Sequence, residues 1–366
     1  MILPTFAIVA LLQGPSTINR SFLEETVQSQ LKTQKLPGAV VAIALEDSVV
    51  LVEGFGVRDL ATGTPMRADD IFLIGSMTKL FTATLLAQLE EQGKLSLDDP
   101  VAKHLDNTKP LPEWTRQVTV RQLANHTSGL PRDPVNRRNL PDSPGVMLPY
   151  SRAELYQGLV QTDLSGEPGV RWSYSNLGYA VLGEVVERAS GRPYEAQLKE
   201  ALLVPLGLKD TGITISPEDE RRIPSGYWID REPIARPRWQ MGDVVSFAGM
   251  HSTARDLAQF LIAQTATGPG ATLSSTVRAT LQTPSRGVVV APGRSVSLGW
   301  FIESLPGGLR AIGGGGEVDS FSGTLAFFER PRIGIVVLTN RGASAGAEGV
   351  IRLVMMKVLT RVLAKP

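Results

Sequence analysis

Residues 72–92 read FLIGSMTKLFTATLLAQLEEQ, and this stretch decides how the rest of the chain is interpreted. The segment that begins at Ser76 has the pattern of a helix, and it offers little polar surface before Glu90. A helix that is apolar on nearly every side belongs in the interior of a protein. Gly93 stands where a glycine commonly ends a helix. Residues 76–92 are therefore predicted to form a buried central helix.

Short runs rich in β-branched and aromatic residues lie on both sides of this helix along the chain. Gly38–Leu45 and residues 49–56 are two such runs, and the polar residues between them predict a β-hairpin. More runs follow near the C-terminal end, at residues 296–302, 321–329 and 333–340. A sheet whose strands come from both ends of the chain and are mostly joined by hairpins is expected to be antiparallel and covered by helices.

The middle of the chain has a different pattern. Short helical pieces alternate with proline-rich loops, and residues 177–189 form the clearest helical segment, followed by glycine and proline stop signals. We interpret residues 15–93 and 241–366 as an α/β sheet domain and residues 94–240 as an inserted, mainly helical domain. The expected fold class is therefore α+β, with an antiparallel sheet flanked by helices.

The composition excludes several classes of site. With a formal net charge of +1 over 366 residues, the chain has no strong field that would recruit nucleic acid or an anionic membrane. It contains no cysteine, which excludes disulfides and thiolate metal sites, and its three histidines are widely separated in the sequence. We therefore expect no nucleic-acid partner and no metal.

The two ends of the chain bear on its location. Residues 1–14 include an apolar run too short to span a bilayer, and we interpret them as an export signal rather than as a buried N-terminal segment. This interpretation predicts a secreted or periplasmic protein. Residues 351–363 have the pattern of an amphipathic helix with a basic side. We expect that helix to dock on the sheet rather than on a membrane, and we expect no firm membrane anchor.

Ser76-Met-Thr-Lys79 is the first candidate for chemistry. A serine hydroxyl is a weak nucleophile that needs a nearby base, and residues three apart on a helix lie on the same face. Lys79 can therefore reach the Ser76 hydroxyl, and burial would lower its pKa toward the neutral form that accepts a proton. The alternative is a serine that caps the helix and a lysine in solvent. The nearly all-apolar helix that follows argues against a solvent-exposed lysine.

Tyr174-Ser-Asn176 is the second candidate, just before the helical segment at residues 177–189. A tyrosine close to a lysine can relay protons, and an asparagine side chain can bind the carbonyl group of an ester or amide. The alternatives are that Asn176 caps the helix and that Tyr174 only packs.

Ser76-x-x-Lys79 followed by Tyr174-x-Asn176 resembles the class C β-lactamase family and its relatives, which include DD-carboxypeptidases, D-aminopeptidases and family VIII esterases. Residues 93–100 and 123–131 also match, and the resemblance covers roughly residues 36–363. It implies a β-lactamase/transpeptidase-like α/β sandwich with a cleft beside the helical domain. It also implies that Ser76 is acylated, that Lys79 is its first proton acceptor and that Tyr174 shuttles protons.

The third family motif differs in this sequence. Relatives carry Lys-Thr-Gly or His-x-Gly on the strand beside the site, and here the register places Gly314, Gly315 and Gly316 at that motif. The resemblance implies that the backbone N–H of Glu317 or a close neighbour, together with that of Ser76, holds the oxyanion. The missing cation usually helps to bind a substrate carboxylate. We therefore rank neutral or cationic esters and amides above β-lactams as substrates.

The sequence predicts a serine hydrolase that acts through an acyl-enzyme on small ester, amide or D-amino-acid peptide substrates, without an organic cofactor. In this interpretation Asn176 orients the substrate and Lys79. One alternative is a β-lactamase or DD-carboxypeptidase, and another is a penicillin- or peptide-binding protein that does not hydrolyse its ligand. Residues 342–346 form a G-x-S-x-G motif, but no histidine follows it, so we reject a nucleophile elbow there. His126 is expected to hold a loop near the cleft.

Overall fold

The structure is a computed structural model, and it describes residues 18–140, 143–229, 233–235, 241–268, 271–285, 288–342 and 346–363. The predicted export signal at residues 1–14 and the serine of the G-x-S-x-G motif lie outside these residues. Among the described residues, the helices all fall short of the length and apolar character that crossing a membrane requires.

The helices are α1 (Arg20–Thr33), α2 (Thr78–Glu91), α3 (Trp114–Gln117), α4 (Val120–Ala124), α5 (Arg152–Val160), α6 (Asn176–Ser190), α7 (Tyr194–Leu198), α8 (Val204–Leu206), α9 (Pro217–Arg222), α10 (Ala254–Thr265), α11 (Ser275–Gln282) and α12 (Gly346–Leu363). A π-helical turn joins α7 to α8. The strands are β1 (Gly38–Leu45), β2 (Ser48–Gly56), β3 (Phe72–Leu73), β4 (Asn139–Leu140), β5 (Ser143–Met147), β6 (Tyr227–Ile229), β7 (Pro233–Ala235), β8 (His251–Ser252), β9 (Val289–Ala291), β10 (Arg294–Val296), β11 (Phe301–Ser304), β12 (Arg310–Val318), β13 (Phe321–Phe328) and β14 (Ile333–Thr339).

The main sheet of the described residues has eight antiparallel strands in the order β2-β1-β14-β13-β12-β11-β10-β9. Strand β1 is buried along nearly its whole length rather than on alternate residues, because both faces of the sheet are covered. On one face α10 packs against β1 and β14, and on the other face α1 and α12 pack together over the sheet. The predicted antiparallel sheet flanked by helices is confirmed.

The predicted central helix is present as α2, and most of its side chains are buried, Lys79 among them. It begins two residues later than expected, because a 3-10 turn over Gly75–Met77 precedes it and carries Ser76. The C-terminal helix α12 buries Val350, Val354 and Val358 against the sheet, as predicted for this segment.

Two expectations for strands need correction. Residues 296–302 do not form one strand, because Gly299 turns the chain at φ 72° and separates β10 from β11. The Gly299 N–H donates to the carbonyl oxygen of Ala124, which holds this turn against α4. The middle of the chain also contains short strand pairs, β4 with β5 and β6 with β7, which the sequence did not predict. The domain boundaries at residues 93–94 and 240–241 remain a prediction.

Strand β12 lies directly against the turn that carries Ser76. A Cβ atom at Gly316 would overlap the carbonyl oxygen of Ile74 and lie 2.8 Å from the Met77 nitrogen. Gly75 has a positive φ of 51°, and a Cβ atom there would lie 2.7 Å from the Glu317 nitrogen. Only glycine allows two backbones to approach this closely. The glycines at these two positions therefore set the distance between β12 and the Ser76 turn.

We expect Gly316→Ala to destabilise the protein by about 1–3 kcal/mol, because its methyl group has to displace the backbone of the Ser76 turn. The matched control is Gly315→Ala, one residue earlier on β12. A Cβ atom at Gly315 meets its nearest atoms at 3.5 Å, which is ordinary van der Waals contact. Denaturant unfolding of both variants is the measurement. Equal midpoints for the two variants would contradict the predicted close approach.

Candidate active site

The hydroxyl of Ser76 has two polar neighbours from different parts of the chain. Lys79 Nζ lies 3.0 Å from Ser76 Oγ, as the one-turn spacing predicted. The Tyr174 hydroxyl donates to the same oxygen at 2.7 Å, although the two residues are 98 positions apart in the sequence. Ser76 itself is half-buried, so its hydroxyl can be reached from the surface. The structure thus brings together a serine hydroxyl, an amine and a phenol.

Lys79 is buried, with 2% of its surface exposed, and its amine contacts two further oxygen atoms. These are Asn176 Oδ1 at 2.9 Å and the carbonyl oxygen of Phe247 at 2.8 Å. Burial lowers the pKa of Lys79, while Tyr174 acts in the opposite direction. A neutral amine has two N–H groups and one lone pair. If the N–H groups donate to these two oxygens, which only accept, the lone pair is left for the Ser76 hydroxyl.

The start of α6 fixes the position of Asn176. Ser175 is the N-cap, because its side chain accepts from the backbone N–H of Gly178 at 2.9 Å. Asn176 is the first residue of the helix, so its side chain is not needed as a cap and extends to Lys79. The alternative interpretation of Asn176 as the cap is wrong, because the preceding serine takes that role.

His126 supports the loop that carries Tyr174. Its ring lies 4.5 Å from the Tyr174 ring, and its Nδ1 accepts from the Ser175 N–H at 3.1 Å. Its carbonyl oxygen accepts from the Ser173 N–H at 2.8 Å. Burial, with smaller effects from Lys79 and Arg132, lowers the pKa of His126 to about 3. A neutral imidazole that accepts a backbone N–H is consistent with the predicted structural role.

The third motif reaches the site through its backbone. Gly316 packs on the Ser76 turn, and the backbone of Glu317 lies against Gly75. Gly314 faces Leu80 of α2, where a Cβ atom would lie 3.2 Å from the nearest leucine carbon. Gly315 is exposed and lies between Gly314, which faces α2, and Gly316, which faces the Ser76 turn, so it points to the opposite face of the strand. Of the predicted motif, Gly316 and Glu317 are therefore the residues that the structure brings next to Ser76.

Sequence reasoning missed three groups near Lys79. The carbonyl oxygen of Phe247 is a backbone atom, which no residue type could indicate. Asp133 Oδ1 accepts from Asn176 Nδ2 at 2.8 Å, and the guanidinium carbon of Arg132 lies 5.1 Å from the centre of the Tyr174 ring. Both charged residues follow directly after the matched segment at residues 123–131, and that adjacency was the available signal. In the described parts of the chain, His, Asp and Glu side chains form no cluster that could hold a metal ion.

The sequence matches the Beta-lactamase family over residues 23–359, which confirms the resemblance that the motifs indicated. It is 28% identical over 345 residues to "Putative beta-lactamase-like 1" of Homo sapiens, which covers 89% of this chain and 66% of that protein. It is 32% identical over 197 residues to "D-alanyl-D-alanine-carboxypeptidase/endopeptidase AmpH" of Escherichia coli (strain K12), which covers 53% of this chain and 49% of that protein. The matched parts thus span between about half and two thirds of these curated relatives.

A solved structure supports the same relationship. The octameric penicillin-binding protein homologue from Pyrococcus abyssi superimposes with a TM-score of 0.77 at 27% identity, over 94% of this chain and 77% of that one. The class C beta lactamase from Rhodobacter sphaeroides gives a TM-score of 0.75 over 94% of this chain and all of that one. Its 24% identity makes it a likeness of fold alone.

The lowered pKa of His126 predicts a loss of stability in acid. Unfolding returns this pKa from about 3 to about 6.5, so the stabilising effect of the neutral ring is complete above pH 6.5 and is lost as the pH falls toward 3. His126→Asn removes the titrating ring and tolerates the positive φ of 62° at this position. The unfolding free energy of wild type relative to this variant should fall by about 1.4 kcal/mol per pH unit between pH 6 and pH 4. Parallel stability curves would contradict this prediction.

Proposed function

Because this chain belongs to the Beta-lactamase family, a family of serine hydrolases, we propose that it hydrolyses an ester or amide through an acyl-enzyme on Ser76. The observation that carries the proposal is the position of Ser76 Oγ, within hydrogen-bond distance of both Lys79 Nζ and the Tyr174 hydroxyl. A serine nucleophile needs a base in such a position, and a second proton carrier serves the leaving group.

In the proposed first step, Ser76 Oγ forms a bond to the substrate carbonyl carbon and its proton passes to the neutral Lys79 amine. The bond to the leaving group then breaks. The leaving group takes a proton from Tyr174, and Lys79 restores that proton to the phenol. The oxygen that becomes negative is held by the backbone N–H groups of Ser76 and Glu317, which need no particular side chain.

In the proposed second step, water attacks the acyl carbon and gives a proton to Tyr174, which passes its own phenolic proton to the neutral Lys79 amine. Lys79 then supplies the proton that Ser76 Oγ needs. Ser76 Oγ leaves and regains a proton, and the free acid departs. Asn176 serves this cycle twice, by orienting Lys79 and by binding the substrate carbonyl region. Since every proton is returned, the cycle consumes only water.

The lack of a cation at Gly314, Gly315 and Gly316 supports neutral or cationic esters and amides, D-amino-acid amides among them, as the substrate class. The second candidate is a β-lactamase or DD-carboxypeptidase activity, which the name of the Escherichia coli relative favours. A protein that binds penicillin or a peptide without hydrolysis is the third candidate. The proposal includes a secreted or periplasmic location, on the basis of residues 1–14.

The test is intact-mass spectrometry after incubation with a panel of p-nitrophenyl esters, D-amino-acid amides and nitrocefin. We expect one acyl adduct, located on Ser76, and its mass identifies the accepted acyl group. Faster turnover of esters than of nitrocefin supports the first candidate, and the reverse supports the second. An adduct that persists without turnover supports the third. A folded protein that no probe acylates would contradict the proposal.

Variants test the assigned roles. Ser76→Ala should abolish the adduct and lower kcat by roughly 1,000-fold or more. Tyr174→Phe removes one hydroxyl and should lower kcat by about 100- to 10,000-fold. Ser21→Ala, at an exposed position on α1, is the matched control and should behave as wild type. Wild-type turnover by Ser76→Ala would contradict the proposed mechanism.

A further inference from the structure

Asp133 lies one residue beyond the Ser76–Lys79 pair, because its side chain contacts Asn176, which in turn contacts Lys79. Its Oδ1 accepts from Asn176 Nδ2 at 2.8 Å, and Arg137 contacts the same oxygen at 2.6 Å. The backbone secures this neighbourhood, because the carbonyl oxygen of Arg132 accepts from the N–H groups of Asn176 at 2.6 Å and of Leu177 at 3.2 Å. Asp133 is therefore held against the start of α6 by its neighbours in the chain as well as by its side chain.

We propose that Asp133 is a positioning residue that fixes the side-chain amide of Asn176 with Oδ1 toward Lys79, and so aims the lone pair of the Lys79 amine at Ser76. This inference rests on the proposed function. It concerns how the base is oriented, and it gives Asp133 no direct contact with substrate.

The side-chain amide of Asn176 is nearly symmetric in shape. Turning an asparagine side chain by half a rotation exchanges its oxygen and nitrogen with almost no change of shape. A carboxylate only accepts hydrogen bonds, so Asp133 binds the Nδ2 side of Asn176 and repels the Oδ1 side. Because Arg137 holds the carboxylate in place, Asn176 keeps one orientation. Its Oδ1 is then the atom that faces Lys79, at 2.9 Å.

The orientation of this amide determines which hydrogen bonds the Lys79 amine can make. The Phe247 carbonyl oxygen and Asn176 Oδ1 are both acceptors, so together they take the two N–H groups of neutral Lys79. The remaining lone pair faces Ser76 Oγ at 3.0 Å. If Asn176 turned over, its Nδ2 would face the amine and compete for that lone pair. The nucleophile would then lose its base while every heavy atom stayed in nearly the same place.

The charges around Lys79 give a separate signature of the role of Asp133. Among the described residues, the titratable or charged groups that face it are Tyr174, Tyr179, Arg132, Asp133 and the neutral ring of His126. Asp133 raises the pKa of Lys79 and Arg132 lowers it, while burial is the largest cause of the net decrease. Loss of the Asp133 charge therefore moves the protonation of Lys79 to lower pH. A variant that only loosened the fold would not cause such a shift.

The test is Asp133→Asn, which keeps the shape but replaces an acceptor by an amide that pairs with either orientation of Asn176. We expect kcat to fall by about 10- to 100-fold with KM nearly unchanged, because the base is misdirected in part of the molecules. We also expect the acid limb of the kcat/KM profile to move to lower pH, since that limb reports the free enzyme's base. Asp133→Glu keeps an acceptor and should recover part of kcat.

Asp98→Asn is the matched control, because Asp98 is an exposed carboxylate paired with Arg121 elsewhere in the helical region, and it should leave both quantities unchanged. Thermal unfolding checks that each variant is folded, and Asp133→Ser replaces Asp133→Asn if the latter is not. A folded neutral variant with wild-type kcat would overturn the proposal, and so would a fall in kcat with an unmoved acid limb. If Ser76→Ala retained wild-type turnover, the proposed function itself would fail. That result is distinct from an Asp133 variant with wild-type kcat, which would overturn only the role of Asp133.

Discussion

The burial of one lysine amine is the constraint on which the rest of the site depends. Lys79 lies near the start of α2, a helix that packs against α6 and α11, and only 2% of the lysine surface is exposed. A buried ammonium is costly, and the neutral form is favoured. The protein supplies acceptors for the amine from two distant segments, at Asn176 and Phe247. Because the amine is buried, the start of α6 and the segment that contains Phe247 must both lie next to it to provide these acceptors.

The close contact between β12 and the Ser76 turn explains how the site tolerates its unusual third motif. Gly316 and Gly75 let the two backbones touch, and this contact needs no side chain on the neighbouring residues. Gly314 faces Leu80, so its position is filled by the apolar surface of α2 rather than by a cation. Under the proposed function, oxyanion binding through backbone N–H groups therefore does not depend on the charged residue of the family motif.

Features encoded by local pattern were predictable from the sequence, and features created by tertiary contact were not. The buried α2, the hairpin of β1 and β2 and the proximity of Ser76 to Lys79 follow from periodicity and one-turn spacing. The break at Gly299 depends on a contact with Ala124, and the cap at Ser175 was hidden because the adjacent Asn176 is an equally good capping residue. No sequence pattern marks Phe247, because it contributes a backbone oxygen.

Under the proposed function, the charged groups beside the base come from the helical region rather than from the sheet. Residues 311–316 of β12 carry no charge, whereas Arg132, Asp133 and Arg137 lie together next to Tyr174 and Asn176. The turn before α2 then supplies the nucleophile, α2 supplies the base and β12 supplies a backbone donor, while residues 132–137 contribute charges around the base. Asp133 reaches Lys79 through Asn176, and Arg132 lies against the Tyr174 ring, so a change of charge in this segment acts on both proposed proton carriers. Under this proposal the residues that set substrate preference lie on β12, whereas the charges that tune the base lie at residues 132–137, so the two properties depend on different elements.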